Sequence, residues 1–234
     1  MNLSLEKIAG LARLAYEPDM NVICDQLQAG LGVGRWDMEF IYVPQTDTEG
    51  FMVRLGNDCL MAFSGTESLR DLQQDLFFLP IAYHGGHIHS GFKQIIDDIS
   101  DPIIEGLHNL FRVDPVRQIH ATGHSLGAPI AMGACDILYF LGLDQVFTKI
   151  TTFGCPNGWS HGAMDGFNRR HPDTTNYINY WDPVTWLLGV TTGRPGNDIK
   201  LSGKWGHKMA KYEANIKNKK SPERCVQGLK TIGT

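Results

Sequence analysis

Gly123-His124-Ser125-Leu126-Gly127 sets a serine between two glycines at G-x-S-x-G spacing. Ahead of it, Gln118 to Thr122 reads as a short buried strand. Behind it, Leu126, Ile130, Ala134, Ile137, Leu138 and Leu141 recur at the three- and four-residue intervals of a helix. A serine at the corner of a strand–turn–helix has its Oγ pushed out of the backbone, where it can attack a carbonyl. Glycines flank it because side chains there would clash where strand and helix meet so sharply. Pro129 falls in the first turn, where a missing N–H costs no hydrogen bond. Such a serine could also do no more than cap its helix, so its chemistry turns on its partners.

A serine hydroxyl needs a base within hydrogen-bond reach, and a histidine base needs a carboxylate to fix its tautomer. On open α/β sheets these groups follow one another along the chain as Ser, acid, His. His207 is the only histidine after His171, and the acids between it and Ser125 are Asp136, Asp144, Asp165, Asp173, Asp182 and Asp198. Asp136 and Asp144 belong to the helix after Ser125 and its end, directed away from the turn. Asp165 and Asp173 sit in polar segments. Asp182 directly follows the strand Thr174 to Tyr180 and precedes Pro183, at the carboxyl edge where open sheets gather ligands. Asp198, in a glycine-rich loop, is the alternative acid. An oxyanion would need two donors: the Leu126 backbone N–H, and Thr66 at the end of the apolar strand Asp58 to Ser64.

The supporting elements follow from periodicity. Helices are expected over Leu3–Tyr16, Asn21–Leu31, Ser68–Leu79 and Phe92–Leu110, the last despite Pro102. Strands are expected at Phe40–Val43, Phe51–Leu55, Asp58–Ser64 and Phe147–Phe153, with a turn at Asp47–Gly50. Gly154–Gly166 and Thr191–Gly206 read as loops, and the basic tail from Lys208 as a solvated face. Strands alternating with helices define an α/β fold with a mostly parallel central sheet, and 234 residues fit one domain over 1–234.

Composition narrows the function further. A net charge of -4 without a basic patch gives no reason to expect nucleic acid. No apolar run approaches membrane-spanning length and no charged-then-apolar leader opens the chain, so cytoplasmic localisation is the default expectation. Five widely spaced cysteines without C-x-x-C read as free thiols. His84, His87 and His89 share an H-x-x-H-x-H spacing, but no nearby cysteine or carboxylate completes a ligand set, and packing or hydrogen bonding is the expected role. Neither a metal nor an organic cofactor is expected.

Five segments resemble class 3 lipases, the fungal triacylglycerol lipase type: Ala62–Thr66, His89–Phe92, Thr122–Gly127, Thr152–Pro156 and Asn179–Val184. They come in family order across roughly residues 40–210, with Ser64 where the family usually carries arginine. The resemblance implies an α/β-hydrolase fold and ester hydrolysis. By position it makes Ser125 the nucleophile, Asp182 the acid, His207 the base and Thr66 an oxyanion residue. It also makes Ser68–Leu79, with Leu69, Leu72 and Leu76, a helical lid. The expected activity is that of a lipase-like serine carboxylester hydrolase acting through an acyl-enzyme on an acyl ester or lipid, at a lipid–water interface. Short-chain esterase, phospholipase A1, amidase and acyltransferase chemistry, or a silent binding scaffold, remain as alternatives.

Overall fold

Seven strands form one sheet in the order β1-β2-β3-β6-β7-β8-β9: β1 Met38–Val43, β2 Thr48–Leu55, β3 Asp58–Phe63, β6 Gln118–His124, β7 Phe147–Phe153, β8 Asp173–Asn179 and β9 Asn197–Leu201. The computed structural model describes residues 3–65, 79–186, 192–203 and 205–218. β1, β2 and β3 run antiparallel, whereas β3, β6, β7, β8 and β9 pair in parallel. A small antiparallel hairpin, β4 Pro80–Tyr83 and β5 Gly86–His89, stands apart from the sheet.

β3 shows why the sheet is covered on both faces. Successive side chains of a strand point to opposite sides. Cys59, Met61 and Phe63 enter one apolar cluster with Ile95, Ile99, Ile103 and Met132. Leu60 and Ala62 enter another with Leu11, Ile23 and Leu27. The near-continuous apolar run read from the sequence is therefore a central strand sealed on both sides.

Helices α1 (Leu5–Leu14) and α2 (Met20–Leu31) cover one face. Ser4 caps α1 by accepting the Lys7 N–H, Asp19 caps α2 by accepting that of Asn21, and Gly32 ends α2 at φ +70°. The other face carries α3 (Ser90–Asp98), α4 (Ser100–Leu110) and α5 (Gly127–Leu138), with α6 (His161–Arg170) joining the same apolar cluster.

Four boundaries differ from the sequence reading. The helix expected over Phe92–Leu110 is broken at Ile99, which puts Pro102 in the first turn of α4, where its absent N–H has no partner to lose. β2 begins at Thr48, so the turn spans residues 44–47 and Gly50 lies inside the strand. A Cβ at Gly50 would come 2.6 Å from the Ala62 carbonyl oxygen. Residues 154–166 are not all loop, because Ser160 caps α6 by accepting the Ala163 N–H. Thr191–Gly206 holds the edge strand β9, whose polar sequence Asn-Asp-Ile-Lys-Leu has one fully buried side chain, Leu201. The expected helix Ser68–Leu79 lies outside the described residues except for Leu79, which is exposed coil.

Asp136, on α5, is buried and ties four elements together. Its carboxylate accepts Tyr83 Oη at 2.8 Å, Arg170 Nε and Nη2 at 2.7 Å each, and His171 Nε2 at 3.0 Å. Thr148 Oγ1 lies 2.7 Å from His171 Nδ1. Burial by itself would raise the carboxyl, but the bonds from His171 and Arg170 outweigh it and hold the group below its ordinary value. Its stabilising contribution is thus present at neutral pH and is lost as pH falls below about 4 toward the folded-state value. Asp136→Asn leaves the Arg170 guanidinium without a counter-charge, and we expect a loss of about 3–5 kcal/mol in urea unfolding at pH 7, shrinking under acid conditions.

Candidate active site

Four of the five parallel strands, β3, β6, β7 and β8, deliver to one edge of the sheet the carboxyl ends that matter here. Ser125 follows β6 there, Gly65 follows β3, Gly154 follows β7 and Asp182 follows β8. Ser125 is held at φ +56°, in the left-handed region that a side chain rarely occupies. Such a backbone costs about 1–3 kcal/mol and persists only when the surroundings over-determine it. Here they do. The Ser125 N–H donates to the Phe153 carbonyl at 3.0 Å, and the Ser125 carbonyl accepts the Ala128 N–H at 3.1 Å.

The two flanking glycines are required by contact. A Cβ on Gly123 would strike the Gly127 carbonyl, and one on Gly127 would strike the Phe63 carbonyl and come 2.8 Å from that of Ser64. Gly65 is equally tight, since a Cβ there would lie 2.9 Å from both the Leu126 nitrogen and Ser125 Cβ. The end of β3 therefore sits directly against the turn. Leu126 precedes the first residue of α5, so its N–H belongs to the unsatisfied first turn of that helix. Ser64 takes the place of the expected arginine by turning inward; its N–H and Oγ both donate to the Glu49 carbonyl, at 3.0 and 3.2 Å.

Asp182 is wholly buried and its carboxylate has three donors. Oδ1 accepts the Val184 N–H at 3.0 Å, while Oδ2 accepts His207 Nδ1 at 2.8 Å and Tyr212 Oη at 2.5 Å. The Nδ1 bond fixes the His207 tautomer and leaves Nε2 free to accept a proton. Among the described residues, neither His207 Nε2 nor Ser125 Oγ has a hydrogen-bond partner, and both atoms are buried. Burial and the neighbouring Asp182 charge push the Tyr212 phenol well above its ordinary value, so it stays protonated as a donor. Asp198, the alternative acid, is occupied on β9 by Arg194 Nε at 3.2 Å and Asn176 Nδ2 at 3.1 Å.

The loops that carry these groups are braced in turn. Asn179 Nδ2 donates to the Gly206 carbonyl at 3.0 Å, and Asn215 Nδ2 donates to Asn179 Oδ1 at 2.9 Å. Arg194 donates to the Cys155 carbonyl and, at 3.1 Å, to that of Thr185. Tyr212 lies on α7 (Met209–Lys217), in the tail read from sequence as a solvated face. Met209, Tyr212 and Ile216 form a buried stripe at helical spacing and pack with Ile8, Ala12 and Phe153. That stripe was the available signal, and the lysines around it concealed it.

Thr66, Leu69, Leu72 and Leu76 lie outside the described residues. The three clustered histidines have separate tasks. His84 stacks on Phe140, His87 is exposed, and His89 Nδ1 accepts the Gly91 N–H. Among the described residues no group of three or more His, Cys, Asp or Glu could hold a metal ion, and no helix is long and apolar enough to cross a membrane.

A sharp strand–turn–helix serine at the carboxyl edge of a mostly parallel sheet, with an acid and a histidine on later loops, is the architecture of an α/β-hydrolase. Solved structures bear out this fold. The chain superposes on lipase II from Rhizopus niveus with a TM-score of 0.72 at 21% identity, covering 84% of this chain and 79% of that one. It also superposes on the Rhizomucor miehei triacylglyceride lipase at 0.69 and 18%, covering 85% and 78%. In sequence, a Rhizomucor miehei lipase is 29% identical over 82 residues, which span 34% of this chain and 23% of that protein. Residues 60–191, more than half of the chain, match the family described as lipase (class 3), and the protein belongs to that family.

Gly154 tests how closely this site is built. At φ +61° it has room for no side chain, because a Cβ would lie 3.0 Å from both Asp182 Oδ2 and Tyr212 Oη and 3.1 Å from His207 Cε1. For Gly154→Ala we expect about 1–3 kcal/mol lower stability in chemical denaturation. We also expect loss of the downfield proton resonance of the His207–Asp182 bond.

Proposed function

We propose that the protein is a serine carboxylester hydrolase that cleaves acyl esters of lipids through an acyl-enzyme. The observation that carries this reading is the buried Asp182–His207 bond beside Ser125, whose strained backbone brings an otherwise unpartnered hydroxyl to the same edge of the sheet. His207 Nε2 takes the Ser125 proton as Oγ attacks the ester carbonyl, then returns it to the departing alcohol oxygen. Water, activated by the same nitrogen, attacks the acyl-enzyme and releases the carboxylic acid, regenerating Ser125. Asp182 stabilises the imidazolium without accepting its proton.

Leu126 N–H serves as one oxyanion donor and Thr66 as the other; the packing of Gly65 against Ser125 and Leu126 supports that assignment. One of the superposable structures is described as a triacylglycerol lipase with a serine protease triad at its catalytic centre. An apolar acyl substrate is favoured by the surface around Asp182. A cavity of about 390 Å³ there is lined by Ile178, Tyr180, Trp181, Pro183, Trp186 and Lys200, and Tyr180, Trp181 and Trp186 are exposed. Aromatic side chains with an apolar body and a polar tip suit the boundary between lipid and water.

The test is hydrolysis of nitrophenyl esters from short to long acyl chains. Ser125→Ala should lower kcat by a factor on the order of 10⁴ or more while leaving the thermal transition in place. Full activity in that variant would sink the assignment, and activity confined to short chains would replace lipid esters with soluble ones. Tyr212→Phe removes one of the two donors on Asp182 Oδ2 and concentrates the carboxylate charge on His207. The acidic limb of the kcat/KM profile should move to higher pH; a shift to lower pH, or none, would show that the phenol does not share the carboxylate.

A further inference from the structure

His124, the residue before the candidate nucleophile, is buried, yet its side chain has no part in the reaction just described. Its Nε2 lies 2.6 Å from the His207 main-chain oxygen, and its Nδ1 lies 2.8 Å from Tyr16 Oη. These contacts admit one tautomer. A carbonyl oxygen can only accept, so Nε2 carries the proton and donates it to His207. In the neutral ring Nδ1 is then bare and accepts the Tyr16 O–H, a hydroxyl that also lies 3.3 Å from the His124 carbonyl oxygen. The His124 ring also faces the His207 ring, with centroids 4.6 Å apart and planes inclined by 32°.

We propose that Tyr16 and His124 form a positioning strut that fixes the main chain of the base relative to the nucleophile; it rests on the ester-hydrolase reading above. The geometry is economical because His124 and Ser125 are adjacent. One side-chain bond from the end of β6 to the His207 carbonyl sets the offset between the two reacting residues directly. It does so without passing through the long path of β7, β8 and their loops. The need for such a bond is visible in the base's own loop, where Gly203 and Gly206 both have positive φ, at +132° and +124°. Asn179 holds the Gly206 carbonyl and His124 holds the next one.

Charge is part of the design. Burial, and secondarily the proximity of His207, lowers the His124 imidazole to about 3. The neighbouring ring therefore stays neutral while His207 cycles through its charged form, and the growing imidazolium meets a neutral, tilted ring and not a second cation. The far end of the strut is anchored by the N-terminal helix. Tyr16 follows α1, whose Ile8, Ala9 and Ala12 pack with Met209, Tyr212 and Ile216 of α7, and Arg13 pairs with Glu213 at 3.0 Å. Tyr16 and His207 both fall outside residues 60–191, so the strut joins two parts of the chain that the family match does not reach.

Three variants test it in the full chain: Tyr16→Phe, His124→Phe and His124→Gln. A strut acts on the geometry of attack and not on substrate binding, so kcat and the rate of labelling by a fluorophosphonate should fall together with KM little changed. We expect a loss on the order of tenfold for Tyr16→Phe and a hundredfold for His124→Phe, which keeps an aromatic ring but has no donor. His124→Gln restores an N–H and should recover about tenfold of the latter. Wild-type kcat and labelling in both phenylalanine variants, or losses expressed only as a raised KM or a lowered melting temperature, would overturn the proposal.

A wild-type protein that takes up no phosphonate would instead count against the hydrolase reading. Imidazole ¹⁵N NMR then reads the strut by itself. It requires a bare Nδ1 and protonated Nε2 on His124, with no titration between about pH 4 and 8. The opposite tautomer, or a His124 that titrates in that range, overturns it.

Discussion

The backbone at Ser125 sits at φ +56°, a conformation that a serine does not hold unaided, and much of the surrounding structure serves to hold it. The end of β3 closes on the turn from one side, where a Cβ on Gly65 would crowd Ser125 Cβ and the Leu126 nitrogen. β7 closes from the other, with the Phe153 carbonyl accepting the Ser125 N–H. Gly123 and Gly127 let strand and helix meet at a distance that any Cβ would forbid. Strain at this one residue is thereby spread over three strands and a helix, each buried on its own account. The product is a buried hydroxyl free of competing hydrogen bonds among the described residues.

The Asp182–His207 pair is built on the opposite principle, full satisfaction of a buried charge. Taking a carboxylate out of water costs several kcal/mol unless its lone pairs are paired. Asp182 meets that cost with donors from its own turn, from His207 and from α7. Because Tyr212 and His207 address the same oxygen, the packing of α7 against α1 bears on the electrostatics of His207. A helix and a terminal segment remote from Ser125 in sequence are therefore parts of the site.

Asp136 shows the same rule applied without catalysis. It is an acid on the helix that follows Ser125, buried and richly bonded like Asp182, yet its partners are Arg170, His171 and Tyr83. The Arg170 cation neutralises it and the Tyr83 phenol donates to it, and the cluster serves to join α5, α6 and the β4–β5 hairpin. Burial and hydrogen bonding do not by themselves distinguish a catalytic acid from a structural one. What sets Asp182 apart from Asp136 is a neighbour, His207, whose Nε2 has no hydrogen-bond partner among the described residues.

By itself the sequence determined the strand–turn–helix at Ser125, the mostly parallel order of the central strands and the two-faced burial of β3. Each of these is written in local periodicity and in glycines that steric contact requires. It also narrowed the candidate base to His207, because no other histidine follows His171, and ranked Asp182 above Asp198 as the candidate acid by its place at a strand end. Tertiary structure alone decided the rest. β9 was hidden because an edge strand with a single sealed side chain carries no apolar alternation. Tyr212 was hidden because a stripe of three buried residues in a lysine-rich helix looks solvated until α1 is seen beside it. Tyr16 and His124 reach His207 across the whole length of the chain, and no spacing rule links positions 16, 124 and 207. Local sequence encodes how each segment bends and which face it buries, whereas the proton's tautomer on a buried ring depends on atoms brought within 3 Å by the packing of the entire fold.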